Sequence, residues 1–237
     1  DELKKFNFNF LIHNYFPPPK TSFNFNLASQ NNSIRIKSLN LAKKAIDLCR
    51  QIDSSLYTFH GGFTTDPQKL GVKFSRENMS TKPKAILTFI DSLFVLVDFA
   101  KSNGIKLAME PNVVQKFNLI HNKNELLLFA ELDEIEILFK FFKKNELGIL
   151  LDLGHTAVTS HWLHFKKDNF IENLRSRVFA IHISNNNGFQ DQHKNLTKNC
   201  WQLMNLNLFK KIPIILESIN LNIKEIKQNL QLIKESL

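Results

Sequence analysis

The sequence predicts a parallel α/β fold whose strands curve into a (β/α)-barrel, and two patterns support this prediction. Short apolar runs alternate with longer amphipathic stretches along the chain of 237 residues. A residue of a metal-ligand type follows each apolar run, as is typical of barrels, because their active sites lie at the carboxyl ends of the strands. With 43% hydrophobic and 22% charged residues and no evident linker, residues 1–237 are interpreted as one domain.

Six apolar runs are interpreted as the strands. They are short and rich in Ile, Leu, Val and Phe, as expected of parallel strands that are buried on both faces. In chain order they are residues 6–12, 56–59, 105–109, 147–151, 178–181 and 212–216.

Four amphipathic stretches are interpreted as helices between the strands. Ser33 is the candidate N-cap of the first, Pro83 lies in the first turn of the second, and Gly104 follows its end. The third carries acidic residues early and lysines late, which suits the helix dipole. In chain order the stretches are residues 34–52, 82–102, 132–144 and 222–236.

Charge and cysteine usage narrow the function classes. The net charge is +9, from 31 Lys and Arg against 22 Asp and Glu, but the lysines are scattered, so the charge only modestly favours a nucleic-acid partner. Cys49 and Cys200 form neither a disulfide framework nor a CxxC site and are interpreted as structural, which fits a cytoplasmic location. No apolar run reaches the roughly 18 residues of a membrane-spanning helix, so no membrane partner is expected.

The strand ends carry the chemistry. Asp and Glu together number 22 and His 8 in the whole chain, so finding such a residue after all six strands by chance is rare. Three more follow shortly after strand ends. Singly, each has a structural interpretation as a helix cap or a hydrogen-bonded core residue, but a buried ring of carboxylates is costly without a cation. The nine predicted metal ligands are His13, His60, Glu110, Asp152, His155, His182, Asp191, His193 and Glu217.

The remaining histidines, His121, His161 and His164, lack this placement and are interpreted as surface or packing residues. The nine ligand types lie in recognisable motifs: His13-Asn14-Tyr15 with Asn26-Leu27, Phe59-His60-Gly61-Gly62, Met109-Glu110-Pro111-Asn112, Asp152-Leu153-Gly154-His155, Ile181-His182-Ile183-Ser184, Asp191-Gln192-His193 and Ile215-Leu216-Glu217. In type and order these resemble the motifs of the xylose-isomerase-like TIM barrels, a superfamily that includes endonuclease IV and many sugar isomerases and epimerases. The resemblance runs from His13 to Glu217.

Three departures from the family pattern stand out. The family barrel has two strand–helix units before the strand that carries His13, and here only the tail of the second helix is expected, at residues 1–5. We therefore expect a TIM barrel without its first two units, with six of eight strands, and a segment upstream of Asp1. Asn185 stands where the family often has Asp, and residues 194–197 replace a common Gly-x-Gly.

The resemblance implies two enzyme classes. In a sugar or sugar phosphate isomerase or epimerase, one divalent cation (Zn, Mn, Mg or Co) would be held by Glu110, Asp152, His182 and Glu217. The catalytic pair Glu110 and Glu217 would move a proton next to the metal-bound carbonyl. The substrate would contact His60, His155 and Asn112. The expected partner is then a small sugar, and such barrels often pair into homo-oligomers.

In an endonuclease IV-like enzyme, three zinc ions would cut DNA at abasic sites. They would be held by His13, His60 and Glu110, by Glu110, Asp152, His182 and Glu217, and by His155, Asp191 and His193. The sequence favours the isomerase, because it lacks an obvious basic, aromatic-rich insertion; the candidates are residues 15–20 and 161–167. Pro17–Pro19 are interpreted as the rim or lid of a small-molecule pocket. A non-catalytic family member is the third alternative.

Overall fold

In the computed structural model, the described residues are 8–67, 74 and 76–237. Six parallel strands pair in chain order and curl into a half-barrel with alternating helices, which confirms the predicted fold class. The strands are β1 (Ile12–His13), β2 (Leu56–His60), β3 (Lys106–Glu110), β4 (Leu147–Asp152), β5 (Val178–Ile183) and β6 (Ile214–Leu216).

The helices are α1 (Asn32–Gln51), α2 (Lys82–Ser102), α3 (Leu132–Phe141), α4 (Leu153–Trp162), α5 (Lys167–Leu174), α6 (Trp201–Met204) and α7 (Ile223–Glu235). Short 3-10 helices span Lys116–Asn118, Arg175–Arg177 and Leu206–Phe209. Within the described part of the chain, no helix has both the length and the apolar character that crossing a bilayer requires.

Several predicted boundaries were wrong. β1 contains two residues instead of 6–12, because it pairs with β2 alone and the pairing begins at Ile12 opposite Tyr57. The predicted helix tail at residues 1–5 and the first two residues of the predicted strand, 6 and 7, lie outside the described residues. β6 begins at Ile214 because Pro213 has no N–H to give to a ladder.

Helix ends also differ from the prediction, most clearly at the start of α1 and the end of α3. The N-cap of α1 is Asn31, not Ser33, since the Asn31 side chain accepts hydrogen bonds from the backbone of Ser33 and Ile34. α3 ends at Phe141 rather than at residue 144.

The alternation of side chains along the strands positions the site. Leu56, Ala108, Leu150 and Ala180 form a buried apolar layer on the inner face of the half-barrel. Because side chains alternate with a period of two, the residues two positions further along β3, β4 and β5 point to the same side. These are Glu110, Asp152 and His182. The opposite face of the sheet packs against the helices in a core that includes Phe59, Phe89 and Phe129.

Candidate metal centre

The structure brings all nine predicted ligand types to one place at the carboxyl ends of the strands. Their nitrogen and oxygen atoms form four groups, within each of which the atoms lie no more than 4.8 Å apart. The groups are His13, His60 and Glu110; Glu110, Asp152 and His182; Asp152, His155 and Glu217; and His155, Asp191 and His193. Each group has three members and shares residues with another, so the centre is continuous.

The exact strand-end placement differs slightly from the prediction. His13, His60, Glu110 and Asp152 are the last residues of their strands rather than the residues that follow them. His182 is followed by one further strand residue, Ile183. Glu217 follows β6 directly, and its backbone N–H donates to the carbonyl of Ile183 at 2.9 Å.

Glu110 lies at the middle of the centre and is fully buried. Its Oε2 is 3.4 Å from Nε2 of His13 and 3.5 Å from Nδ1 of His60. Its Oε1 is 3.1 Å from Nδ1 of His155 and 3.7 Å from Nδ1 of His182. The two oxygens therefore face two different pairs of histidines.

The ring of His13 is oriented by Thr58. Nδ1 of His13 lies 2.8 Å from Oγ1 of Thr58, whose hydroxyl also lies 3.3 Å from the carbonyl oxygen of Ile12. If the hydroxyl hydrogen goes to that carbonyl, the ring hydrogen must be on Nδ1, and Nε2 keeps its lone pair toward Glu110. Such a hydrogen bond to the non-ligating nitrogen is usual for metal-binding histidines.

Asp152 divides its two oxygens between a structural task and the centre. Oδ1 accepts a hydrogen bond of 2.7 Å from the backbone N–H of His155 and so caps α4. Oδ2 is 3.6 Å from Nε2 of His155 and 3.9 Å from Nδ1 of His182. Oδ1 of Asp152 therefore serves as the helix cap, and Oδ2 is left as the candidate ligand atom.

The loop after β5 brings in Asp191 and His193. Oδ2 of Asp191 lies 3.0 Å from Nε2 of His193 and 3.3 Å from Nε2 of His155. The loop is held in place where the family's Gly-x-Gly is missing: Lys194 forms an antiparallel bridge with Asn185, and Leu196 is buried. Two of the three departures from the family pattern, Asn185 and residues 194–197, thus belong to one backbone pairing that anchors this loop.

The pKa values divide the histidines into two sets. Burial lowers the pKa of His13 to about 4 and also lowers that of His60, so both are neutral. Burial opposes protonation of His182 as well, but the neighbouring Glu110 and Glu217 outweigh it and raise its pKa to about 10. The pKa of His155 is also raised, first by Asp152 and then by Asp191, and Asp191 raises that of His193.

The pKa values of the carboxyl groups are shifted in opposite directions. Burial raises the pKa of Asp152 to about 8, and the nearby Glu110 and Glu217 act in the same direction. Burial would also raise the pKa of Glu110 and Glu217, but adjacent histidines overcome it and lower both values. The centre therefore balances its charges with protons that a cation could replace.

Unsatisfied buried atoms test whether the residues fit a metal. Among the described residues, ten buried side-chain atoms have no hydrogen-bond partner, and all but those of Asn14 and Ser184 belong to the nine ligand types. Both oxygens of Glu110 are among them. Since buried polar atoms normally have partners, and carboxylate oxygens with imidazole nitrogens suit zinc and similar divalent ions, the residues fit a metal centre.

A pocket of about 280 Å³ opens onto the centre. His60, His155, Asp191, His193 and Glu217 form its polar side, and Phe63, Phe74, Phe117 and Leu127 form much of the rest. Asn112 also lines it, but its side-chain nitrogen donates to the carbonyls of Gly62 and Leu128, so a substrate contact would fall to its side-chain oxygen.

Two residues of this site, Gln115 and Thr58, were not predicted from the sequence. Gln115 lines the pocket, and its side-chain oxygen accepts a hydrogen bond from the backbone N–H of Asp191. Thr58 could have been found from the strand period, since it precedes His60 by two positions. Gln115 lies in a loop, where no strand period indicates the direction of its side chain. His121, His161 and His164 are exposed and lie outside the four ligand groups, as expected.

Pro17–Pro19 and residues 161–167 do not line the pocket of the metal centre. The three prolines line a different cavity, against α1. His161, Phe165, Lys166 and Lys167 line another cavity, beside Phe189. The interpretation of Pro17–Pro19 as part of a pocket rim therefore applies to a cavity other than the one at the metal centre.

The fold and the site together define a TIM-barrel protein with a carboxylate–histidine centre at its strand ends. The family described as "Xylose isomerase-like TIM barrel" matches residues 1–236, and the chain belongs to this family. The chain is 23% identical over 215 residues to an uncharacterised protein of Methanocaldococcus jannaschii, covering 90% of this chain and 66% of that protein. It is 23% identical over 217 residues to a probable endonuclease 4 of Sulfurihydrogenibium, covering 83% of this chain and 69% of that protein.

A solved structure described as a D-tagatose 3-epimerase-like protein is also similar. It matches with a TM-score of 0.74 and 21% identity, over 99% of this chain and 79% of that chain. At this identity the match shows the shared fold. The proteins similar to this chain thus include a probable endonuclease and a structure described as epimerase-like.

Proposed function

We propose that this chain is a divalent-metal-dependent phosphoesterase whose centre holds more than one cation. The observation that supports it best is the position of Glu110, whose two oxygens face two separate pairs of histidines at 3.1–3.7 Å. A carboxylate in this position is suited to be shared by two cations. Centres with neighbouring cations are typical of enzymes that cleave phosphate esters.

Three sets, two of which share Glu110, would each hold a cation: His13, His60 and Glu110; Glu110, Asp152 and His182, with Glu217 3.3 Å from His182; and His155, Asp191 and His193. Bound divalent cations would supply Lewis acidity at a phosphoryl oxygen. Thr58 fixes the ring of His13, and Gln115 fixes the backbone at Asp191, so that these ligands need little reorganisation.

The net charge of a metal-loaded centre supports a phosphate ester as the substrate. The centre contains four carboxylates, which carry four negative charges when ionised. One divalent cation would leave two negative charges in excess, which repel a phosphate. Three would leave two positive charges in excess, which attract one. A phosphodiester therefore suits the fully loaded centre, and a DNA duplex with an abasic site is the first substrate to test, as the similarity to a probable endonuclease 4 suggests.

Glu217 is the carboxylate we assign to proton transfer at the substrate. Its side chain is 31% exposed and lines the pocket, whereas Glu110 is fully buried among histidines. Glu217 is ionised at neutral pH because neighbouring groups lower its pKa. Its partly exposed carboxylate can reach a substrate proton, whereas Glu110 would act as a ligand.

A sugar isomerase or epimerase is the second candidate, and the pocket wall favours it. Among the described residues the lining includes no Lys or Arg, and Phe63, Phe74 and Phe117 offer flat apolar surfaces. A neutral open-chain sugar would suit this wall with one cation held by Glu110, Asp152, His182 and Glu217. This candidate requires Glu110 to exchange a proton with the substrate in addition to its ligand role.

Metal stoichiometry tests the proposal. We expect close to three zinc ions per chain by inductively coupled plasma mass spectrometry, and the double variant Asp191→Asn/His193→Ala should lose about one of them. The exposed pair His161→Ala/His164→Ala is the matched control and should retain all of them. We expect the wild type to cleave abasic-site DNA and to leave aldoses and ketoses unchanged.

About one cation per chain, unaffected by the double variant, with turnover of a ketose would favour the isomerase instead. A folded protein that binds no divalent cation would contradict both enzymes and indicate a non-catalytic family member.

A further inference from the structure

A second cavity lies between the loop after β1 and one face of α1. Its volume is about 570 Å³, and it shares no lining residue with the pocket of the metal centre. The loop contributes residues 17–23, and α1 contributes Lys37, Asn40, Leu41 and Lys44. The helix residues follow at intervals of three or four, so they lie on one face of α1.

The polar part of this lining is rich in hydrogen-bond donors. The three amino groups are those of Lys20, Lys37 and Lys44. The hydroxyls of Thr21 and Ser22 and the amide of Asn40 add neutral donors. No carboxylate is among the described lining residues. An anion would therefore meet donors from both walls.

The positive charge of the cavity is not neutralised internally. Within the described ranges, none of these three lysines forms an ion pair with an Asp or Glu, whereas Lys82 pairs with both Glu131 and Glu134. All three lysines are exposed and carry the same charge, so an anion can reach them from solvent and would be attracted by their combined charge.

The cavity also has a fixed apolar part. Leu41 is buried, and Phe23 packs against the core. The backbone N–H of Phe23 donates to the hydroxyl of Tyr15 at 2.7 Å, which ties the two ends of the loop together. Pro17–Pro19 restrict the backbone of the remaining wall.

We propose that this cavity binds a phosphorylated small molecule, with its phosphates on the three lysines and an apolar portion against Phe23, Leu41 and the prolines. Lysine is a point-charge binder of phosphate, and several lysines suit a ligand with more than one negative charge. The site lies outside the metal centre and does not depend on the reaction performed there.

The test is calorimetric titration with inorganic pyrophosphate of the metal-loaded wild type, Lys37→Ala/Lys44→Ala and Lys43→Ala. Lys43 lies on the same helix, but its amino group is over the ring of Phe99 and outside the cavity, so it is the matched control. We expect the double variant to bind about tenfold or more weakly and the control to bind within about twofold. Pyrophosphate bound at the metal centre is common to all three proteins and cancels in the comparison.

Lys37→Arg/Lys44→Arg keeps the charge and should restore most of the affinity, which separates loss of charge from loss of folding. Equal pyrophosphate binding by wild type and Lys37→Ala/Lys44→Ala would overturn the proposal. Lysine-dependent binding of a single-stranded oligothymidylate, with none for pyrophosphate, would also overturn it, because the site would then recognise a nucleic-acid backbone.

Discussion

Nδ1 of His155 lies 3.1 Å from Oε1 of Glu110, yet neither buried atom has a hydrogen-bond partner of acceptable geometry among the described residues. Two such atoms in close contact without a good bond are expected when each is placed to ligate a cation instead of bonding to the other. This relation joins Glu110 to the histidine that also contacts Asp191. Glu110 therefore connects neighbouring ligand groups.

Loss of the Glu217 carboxylate should stop turnover. We expect Glu217→Gln to lower kcat/KM at least about 100-fold on whichever substrate the wild type converts, because the change removes a ligand and the assigned proton acceptor together. Glu172→Gln, at an exposed position on α5, is the control and should leave kcat/KM unchanged. Activity of Glu217→Gln within about tenfold of the wild type would contradict the assignment.

Metal binding should release protons. At pH 7 His182, with a pKa of about 10, and Asp152, with a pKa of about 8, hold protons that a cation must displace. Calorimetric titration of zinc into chelator-treated protein, in buffers of different ionisation enthalpy, should show a release of at least about one proton per chain. Zinc affinity should rise from pH 6 to pH 8. A heat independent of the buffer would contradict this prediction.

The same groups determine how stability changes with pH in chelator-treated protein. The folded pKa of His182 exceeds its ordinary value of 6.5, so its contribution is complete below pH 6.5 and is lost as pH rises toward 10. Asp152 also binds its proton more tightly when folded, so stability falls in the same direction up to about pH 8. We expect Tm to decrease from pH 6.5 to 9, and saturating zinc to reduce this slope. An unchanged or rising Tm would refute the direction.

Gly154 should not tolerate a side chain. A Cβ atom there would lie 2.8 Å from Oγ of Ser184 and 3.1 Å from Oδ1 of Asp152, the oxygen that caps α4. We expect Gly154→Ala to cost about 1–3 kcal/mol of unfolding free energy and to weaken zinc binding. Denaturant unfolding and zinc titration are the measurements. Gly154→Ala/Ser184→Ala removes the closest contact and should recover part of both losses; no recovery would mean that the contact is not the cause.

Asn26 should be essential for the loop after β2. Its side-chain nitrogen contacts the carbonyls of Phe63 and Thr65 and the carboxylate of Asp66, and its oxygen accepts from the backbone N–H groups of Ala28 and Phe63. We expect Asn26→Ala to lower the unfolding free energy by about 2–4 kcal/mol, because buried backbone groups lose their partners. Asn173→Ala, on the surface, should change it by less than about 0.5 kcal/mol. Equal losses in the two variants would exclude this role.

The ligand groups could be predicted because strand-end position and side-chain type are both visible in the sequence. β3 and β4 consist mainly of apolar residues, and each ends on a carboxylate that faces the barrel interior. The pairing of particular ligands could not be predicted, since it depends on how neighbouring strands align. Asp152 stands opposite His182 across β4 and β5, where a register shift between Ile149 and Leu150 sets the alignment.

Two of the helices that were not predicted, α4 and α6, were missed for a different reason. α4 is buried on several sides, including its threonines Thr156 and Thr159, so it lacks the division into an apolar and a polar face by which helices were identified. α6 has four residues and is too short for a periodic pattern. Thr159 belongs to no periodic sequence pattern either. Its hydroxyl oxygen nevertheless accepts a hydrogen bond of 3.0 Å from the backbone N–H of Val114, beside the pocket.

The loop that carries Asp191 and His193 is fastened to the last helix of the chain. The side chain of Asn229 on α7 accepts from the backbone N–H of Leu196 at 2.7 Å and donates to Oδ1 of Asn195 at 2.8 Å, while Asn195 donates to Glu225. Local unfolding of α7 would release these anchors within three residues of His193. These hydrogen bonds connect α7 to the ligand group of His155, Asp191 and His193, so a cation bound there would protect α7 from opening, and fraying of α7 would lower the affinity for that cation.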